Sequence, residues 1–329
     1  MTRVLVTGGA GYIGSVLIKE LVKSGYDVTV LDSLVYGKEG IDEYIKNNSI
    51  KLIVNDVRDN NVLKLITKDI DYVIHLAAVV GQPLCDKIPV AARQINEFAT
   101  KNLVDICKEN GVKRFVFSST CSNYGSTDEA VDESSPLNPL GLYSEAKVNS
   151  EKYILESKSS DFHPIVLRFA TAYGLSPRMR FDLLVSEFLR VALIDKKITV
   201  FDPQYWRPVI HVKDIVKSCL LVLKNIPEIV SGQIFNVGSN EQNYKKIELA
   251  KIIQKYVPET EIEIIESCKD PRNYRVSFDK ISRMLGFTTK ITVEEGVSEI
   301  LVEVKNKNLD PKKTEFSNMS KLTENIKVF

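Results

Sequence analysis

Two short stretches carry the side chains best suited to do chemistry, TCSNYG at 120–125 and YSEAK at 143–147. On a helix, residues four apart share a face, so Lys147 stands one turn from Tyr143 and both can point into one site. A free tyrosine titrates near about 10, too high for a base at neutral pH, and a neighbouring ammonium favours its phenolate. Tyr143 is therefore a candidate general base, with Lys147 lowering its pKa. A bare Y-x-x-x-K also arises by chance on the solvated face of any Lys-rich helix, so its weight depends on what precedes it. In TCSNYG, Thr120, Cys121 and Ser122 are the reactive candidates.

What precedes it is a dinucleotide site. VLVTGGAGYIG places Gly8, Gly11 and Gly14, with Tyr12 and Ile13 between them, at the turn from a first strand into an amphipathic helix. Such a turn lets the backbone approach a pyrophosphate while the helix N-terminus offers free N–H donors. The spacing is G-x-x-G-x-x-G rather than G-x-G-x-x-G. VTVLDSL then puts Asp32 at the end of the second strand, where a carboxylate accepts ribose hydroxyls and repels a 2′-phosphate, favouring NAD over NADP. NDVRD brings Asp56 and Val57 toward the adenine at the end of the third strand. HLAAVVG brings Leu76, Ala77 and Ala78 to the end of the fourth, where small residues let the cofactor lie against the sheet. His75 reads as a packed core residue.

The elements that must position these groups are legible as alternation. Short apolar runs (Arg3–Val6, Asp27–Leu31, Ile50–Val54, Tyr72–Ile74, Arg114–Phe117, Ile165–Leu167) are separated by segments of helical spacing, the pattern of βαβ units in a doubly wound parallel sheet. After Phe169 the pattern loosens into a helix-like Phe181–Ile194, a turn-rich stretch near Asp202, a strand-like Ile234–Val237 and short mixed elements. The fold class is thus α/β, Rossmann-type, with a smaller C-terminal mixed α/β lobe. We divide it as 1–168 for the NAD-binding part, with 204–238 returning to it, and 169–203 plus 239–329 for the second lobe. The polar, Lys-rich stretch from Asn306 is expected to dock loosely.

Composition excludes several classes. Forty-four basic against forty-three acidic residues in 329 leave a net charge of +1, with no basic stripe for a nucleic-acid backbone. Cys85, Cys107, Cys121, Cys219 and Cys268 are scattered and only three histidines accompany them, so neither a disulfide framework nor a metal site is expected. A reducing, cytoplasmic setting follows, and no segment has the length of a bilayer span.

Taken with Asn96, SST at 118–120, RFATAYG at 168–174 and RPVIHVKD at 207–214, these motifs resemble the extended short-chain dehydrogenase/reductases that act on nucleotide sugars. The resemblance implies a nucleoside-diphosphate sugar as substrate, NAD as cofactor with Asn96 beside it, a homodimer through two helices near the active site, and Thr120 as the hydroxyl that bonds the reacting sugar. The family's 4,6-dehydratases carry Asp-Glu after that threonine and its decarboxylases a glutamate at the second position. Here Cys121 and Ser122 stand there, which leaves hydride transfer alone. Along an extended segment Cys121 points away from Thr120 into packing, and Ser122 is a supporting hydroxyl toward the substrate.

Thr171 in RFATAYG, AAVVGQPLC at 77–85 and LSPRMRFDLLVSEF at 175–188 depart from the common family pattern and resemble a subgroup that includes GDP-heptose 4-dehydrogenases. Arg178, Arg180, Arg207 and Arg272 form a set of guanidiniums suited to a substrate diphosphate. Arg178 and Arg180 stand equally as structural residues. The segments from Val80 to Cys85 and from Leu175 to Arg180 are expected to crowd the sugar into one orientation. That favours a dehydrogenase or reductase acting at C4, with a 4-epimerase as the alternative. A non-catalytic NAD-binding sensor would be expected to lose Tyr143, Lys147 or the hydroxyl partner, and all are present.

Overall fold

The computed structural model describes residues 1–266 and 270–325. Fourteen strands are found among them: β1 (Arg3–Thr7), β2 (Asp27–Asp32), β3 (Ile50–Val54), β4 (Tyr72–His75), β5 (Arg114–Thr120), β6 (Ser126–Val131), β7 (His163–Phe169), β8 (Thr171–Tyr173), β9 (Lys197–Phe201), β10 (Trp206–His211), β11 (Gln233–Val237), β12 (Asn243–Lys245), β13 (Glu261–Ile265) and β14 (Asn273–Val276). Seven of them make one parallel sheet in the order β11-β7-β5-β4-β1-β2-β3.

The order explains where a ligand can enter. From β1 the sheet grows one way through β2 and β3 and the other way through β4, β5 and β7, so the chain reverses between β1 and β4 and a crevice opens at their carboxyl ends. Alternate residues of β1 feed the two faces: Val4 and Val6 join one buried cluster with Leu17 and Leu21, and Leu5 joins another with Val73, Leu103 and Phe115. The helix Tyr12–Lys23 covers the first face and packs on the helix Val212–Lys224. Every strand expected in the first half is found, extended by no more than a few residues.

The remaining strands form three small sheets, β12-β10-β8, β13-β9 and β14-β6. The helix expected over Phe181–Ile194 starts only at Leu184 and runs to Asp195. The Phe181 N–H donates to the Phe316 carbonyl at 2.8 Å, and Asp182 accepts both from Arg180 and from the Asn318 N–H. These bonds hold the residues before Leu184 out of a helix. They also correct the expectation of a loose tail: in the described part of it, Leu309 and Asn318 are buried and Met319 packs on the core cluster that includes Leu31 and Val57.

Cys85, Cys107, Cys121 and Cys219 are buried and unbridged, and Cys268 lies outside the described residues. No helix among the described residues is long and apolar enough to cross a membrane.

Candidate active site

The glycine turn is built by close approach. Gly8 has φ +73°, and a Cβ there would lie 2.7 Å from the Ala77 nitrogen, so only glycine lets β1 end this close to the loop after β4. A Cβ on Gly14 would meet the Gly9 Cα at 2.6 Å, which fixes how tightly the first helix abuts the turn. Asp32 closes the turn from β2: its carboxylate accepts from the Ala10 N–H at 2.9 Å and the Leu34 N–H at 2.8 Å. Each oxygen keeps a lone pair for a further donor. Burial pushes the Asp32 carboxyl above its ordinary range, against the pull of those two N–H groups and of Arg178.

One cavity runs from this turn along the carboxyl ends of the strands. Its walls include Gly8, Gly11, Tyr12, Ile13, Gly14, Asp32, Asp56, Val57, Leu76, Ala77, Ala78 and Val80, and beyond them Thr120, Ser122, Tyr143, Lys147, Thr171, Arg178, Arg180 and Arg272. Residues chosen from separate sequence motifs are thus brought to one continuous space. An elongated space with a glycine turn and acid at one end fits a dinucleotide there.

Tyr143 and Lys147 lie on the helix Leu142–Glu156. The Lys147 ammonium donates to the Ser118 carbonyl at 2.7 Å and sits 4.5 Å from the Phe117 ring centre, which leaves its other donors for a ligand. Burial brings its pKa down to about 8, with Glu151 opposing. Burial also raises the Tyr143 phenol well above its ordinary value, Cys85 adding to this while the guanidiniums of Arg180 and Arg272 pull it down. The phenol is therefore protonated at neutral pH in this structure. The guanidiniums of Arg180 and Arg272, rather than the expected Lys147, are the cations that pull it down.

Thr120 ends β5, and its hydroxyl accepts from the Ser122 N–H at 3.1 Å and lies 2.9 Å from the Ser122 hydroxyl. Cys121 turns the other way, its thiol donating to the Arg168 carbonyl at 3.2 Å in the core. His75 is buried between the Thr7 and Thr100 hydroxyls, at 2.6 and 2.9 Å, and burial lowers its pKa to about 3.

Two expected site residues are placed elsewhere. Asn96 does not line the cavity, because its amide both accepts from the Val79 N–H and donates to the Val79 carbonyl, each at 2.8 Å, and so shapes the loop that does. Arg207 is also outside the cavity wall, its guanidinium held by the Asp270 carboxylate at 2.7 Å and by the Trp206 and Arg272 carbonyls. Arg178 does line the cavity, toward the Asp32 end, 4.7 Å from the Tyr36 ring centre. Of the segment expected to crowd the sugar, Leu175 instead donates to Glu299, and Ser176 bonds Ser15 and the Tyr12 carbonyl.

Other contributors escaped the sequence reading. Gln82 accepts from the Tyr143 N–H at 3.0 Å and so caps the helix that carries it. Tyr36, four residues after Asp32 in DSLVYG, had a signal in that proximity. Asn318 lines the cavity from a polar stretch that gave none.

Comparison with known proteins places this geometry. Residues 4–238 match the model of the NAD dependent epimerase/dehydratase family. The chain belongs to that family. Its relatives include a dTDP-D-glucose 4,6-dehydratase of Mus musculus, 31% identical over 316 residues, covering 90% of this chain and 87% of that protein. A UDP-glucose 4-epimerase of Lactobacillus helveticus is 30% identical over 276 residues, covering 77% and 81%. Among solved structures, the UDP-glucose 4-epimerase of Thermotoga maritima with UDP-glucose superposes with a TM-score of 0.82 at 26% identity, over 94% of this chain and 100% of that one. Membership of the family makes this an NAD-dependent nucleotide-sugar enzyme of the epimerase/dehydratase type.

Proposed function

We propose that the protein oxidises or reduces a nucleoside-diphosphate sugar at ring carbon C4, as a dehydrogenase or reductase like those of the GDP-heptose 4-dehydrogenase subgroup. The observation that carries this reading is the single cavity in which Asp32 and the glycine turn stand at one end and Thr120, Tyr143 and Arg272 at the other. The adenosine ribose would lie against Asp32, the pyrophosphate against the turn at Gly8, Gly11 and Gly14, and the nicotinamide ribose against Lys147. NAD, when bound, supplies the acceptor for the hydrogen leaving C4 and a positive ring beside the phenol.

Thr120, braced by Ser122, orients the C4 hydroxyl by hydrogen bonding. Tyr143, as the phenolate that the positive nicotinamide ring and the Lys147 ammonium would favour, takes that hydroxyl's proton during oxidation and returns it during reduction. Lys147, fixed through Ser118, holds the nicotinamide ribose and keeps a positive charge near the phenol. Arg180 and Arg272 are the two guanidiniums that act on Tyr143 electrostatically, which suits them to an anionic diphosphate entering beside it. Cys121 and Ser122 offer no acid–base pair for elimination across C5 and C6.

A 4-epimerase is the second reading. It is favoured by the placement of Leu175 toward Glu299 and of Ser176 against the first helix, which leaves Val80, Arg178 and Arg180 of the expected crowding residues in the cavity wall. The division into 1–168 with 204–238, and 169–203 with 239–329, belongs to the same reading, as does a homodimer. Val90 and Phe98, exposed at 70% and 51%, offer the apolar surface that a second copy would cover.

Incubation with NAD and a panel of GDP-, UDP-, CDP- and dTDP-sugars tests the function. A nucleotide 4-keto sugar formed with equimolar NADH is the expected outcome, and a C4 epimer formed with no net NADH establishes the second reading instead.

A further inference from the structure

Arg178 and Asn318 each bury a polar atom that no group among the described residues answers. Arg178 is 7% exposed with no hydrogen-bond partner for its Nη2, and Asn318 is 6% exposed with none for its Oδ1. Leaving such a group unanswered is unfavourable, the more so when it is charged. Burial accordingly brings the Arg178 pKa down to about 10, with Arg180 adding to the effect. Both residues line the cavity.

Neither residue is free to move toward solvent and relieve that cost. The Arg178 guanidinium is stacked over Tyr36, and a Cβ built on Gly40 would lie 3.2 Å from the Arg178 nitrogen and 3.1 Å from the Ser15 Cβ. Ser176, two residues earlier, is bonded to the Tyr12 carbonyl at 2.7 Å. The Asn318 N–H donates to Asp182 at 2.9 Å, and Phe316 meets Phe181 edge to face at 5.8 Å between ring centres. The C-terminal stretch therefore braces the loop that carries Arg178. That guanidinium acts on Asp32 from across the cavity, at the end where β2 delivers the carboxylate.

We propose that Arg178 and Asn318 are ligands of the adenosine half of the dinucleotide, so that its site is completed by a loop and a C-terminal segment outside the sheet. This rests on the NAD reading given above. Arg178 donates to a ribose or diphosphate oxygen. Asn318 accepts from a ribose hydroxyl or the adenine amine. Asn318 lies beyond residue 238, where the family match ends.

The test is calorimetric titration of the full chain and its Arg178→Ala and Asn318→Ala variants with NADH, with ADP-ribose, which lacks the nicotinamide, and with UDP and GDP. Arg178→Ala is expected to weaken NADH and ADP-ribose by the same factor, about tenfold or more for the loss of roughly 1.4 kcal/mol. Asn318→Ala is expected to weaken both several-fold, and the nucleoside diphosphates should be unaffected. The ligand-free melting temperature of Arg178→Ala should not fall, since the variant removes a buried charge whose Nη2 makes no hydrogen bond. Unchanged ADP-ribose affinity, or a loss confined to UDP and GDP, overturns the proposal. Should Arg178→Ala fail to fold, Arg178→Lys keeps the charge and loses the planar fork, and unchanged ADP-ribose affinity there overturns it equally. If the unaltered chain binds neither NADH nor ADP-ribose, the cofactor reading itself falls. If it binds both and the variants bind as well, only the roles of Arg178 and Asn318 fall.

Discussion

The Lys147 ammonium donates to the Ser118 carbonyl at 2.7 Å, tying the helix that carries Tyr143 to the strand that ends in Thr120. Because burial lowers its pKa to about 8 in the folded protein, against about 10.4 in an unfolded chain, the unfolded state binds more protons between those values. Lys147 thus destabilises the fold fully below about pH 8, and the penalty is relieved as pH rises toward 10.4. Urea unfolding at pH 7 and pH 9.5 should show the parent chain gaining stability relative to Lys147→Met at the higher pH. An unchanged difference between the two proteins would contradict the buried-ammonium account.

Tyr143→Phe removes the proton acceptor and leaves the ring in its place. Turnover is expected to fall by about 10² to 10⁴, the usual contribution of a positioned acid–base group. NADH affinity, measured by fluorescence titration, should change by less than about twofold, because the cofactor contacts proposed here lie elsewhere. Full turnover in this variant removes Tyr143 from the mechanism.

Asp32 should set the preference for NAD. Its carboxylate is fixed by two backbone N–H groups, and in the proposed cofactor pose it would face a 2′-phosphate as an unfavourable like charge. Asp32→Ser is expected to raise NADPH affinity by about tenfold or more relative to NADH. Arg178, close enough to act on Asp32 in the parent chain, should assist, so adding Arg178→Ala should remove part of that gain. Equal NADH and NADPH binding by the parent chain would refute the role of Asp32.

Glu299 anchors the loop that leads to Arg178. It accepts from the Leu175 N–H and the His211 ring at 2.6 Å each and from Lys213 at 2.7 Å. Burial raises its pKa, but His211, Lys213 and the Leu175 N–H outweigh it and bring the carboxyl to about 2. A carboxyl with a depressed folded-state pKa contributes stability that is complete above about 4.3 and is lost as pH falls toward 2. Glu299→Gln should therefore be less stable than the parent at pH 7, with the gap closing between pH 5 and pH 2. A gap that does not close with acid would show that the carboxylate's charge is not what matters.

The sheet was legible because parallel strands buried on both faces read as continuous apolar runs, and β1 through β5 each end at a motif that marks the crevice. Gly8, Asp32, Tyr143 and Lys147 were legible for the same reason: each sits at the end of a strand or on a helix whose phase is known. Asn96 and Arg207 were misplaced because a motif specifies a residue type but not its partners, and the Val79 backbone and Asp270 engage them first. Arg178 stands toward the Asp32 end of the cavity, and no periodicity in LSPRMRF indicates which wall a loop approaches. Asn318 was beyond reach altogether. Its place depends on Phe316 meeting Phe181 and on the Asn318 N–H reaching Asp182 across 136 residues, and nothing local to a polar segment encodes that.

The most direct measurement of the central claim follows the hydrogen at C4. A nucleoside-diphosphate sugar that the panel shows to be a substrate, deuterated at C4, is incubated with NAD and the purified protein, and the reduced cofactor and the sugar are analysed by mass spectrometry. Deuterium recovered in NADH, with a sugar two hydrogens poorer and a carbonyl at C4, is the predicted result. Deuterium retained at C4 of an epimer of unchanged mass would contradict net oxidation and establish the epimerase reading, and a product altered with no movement of deuterium would contradict chemistry at C4 altogether.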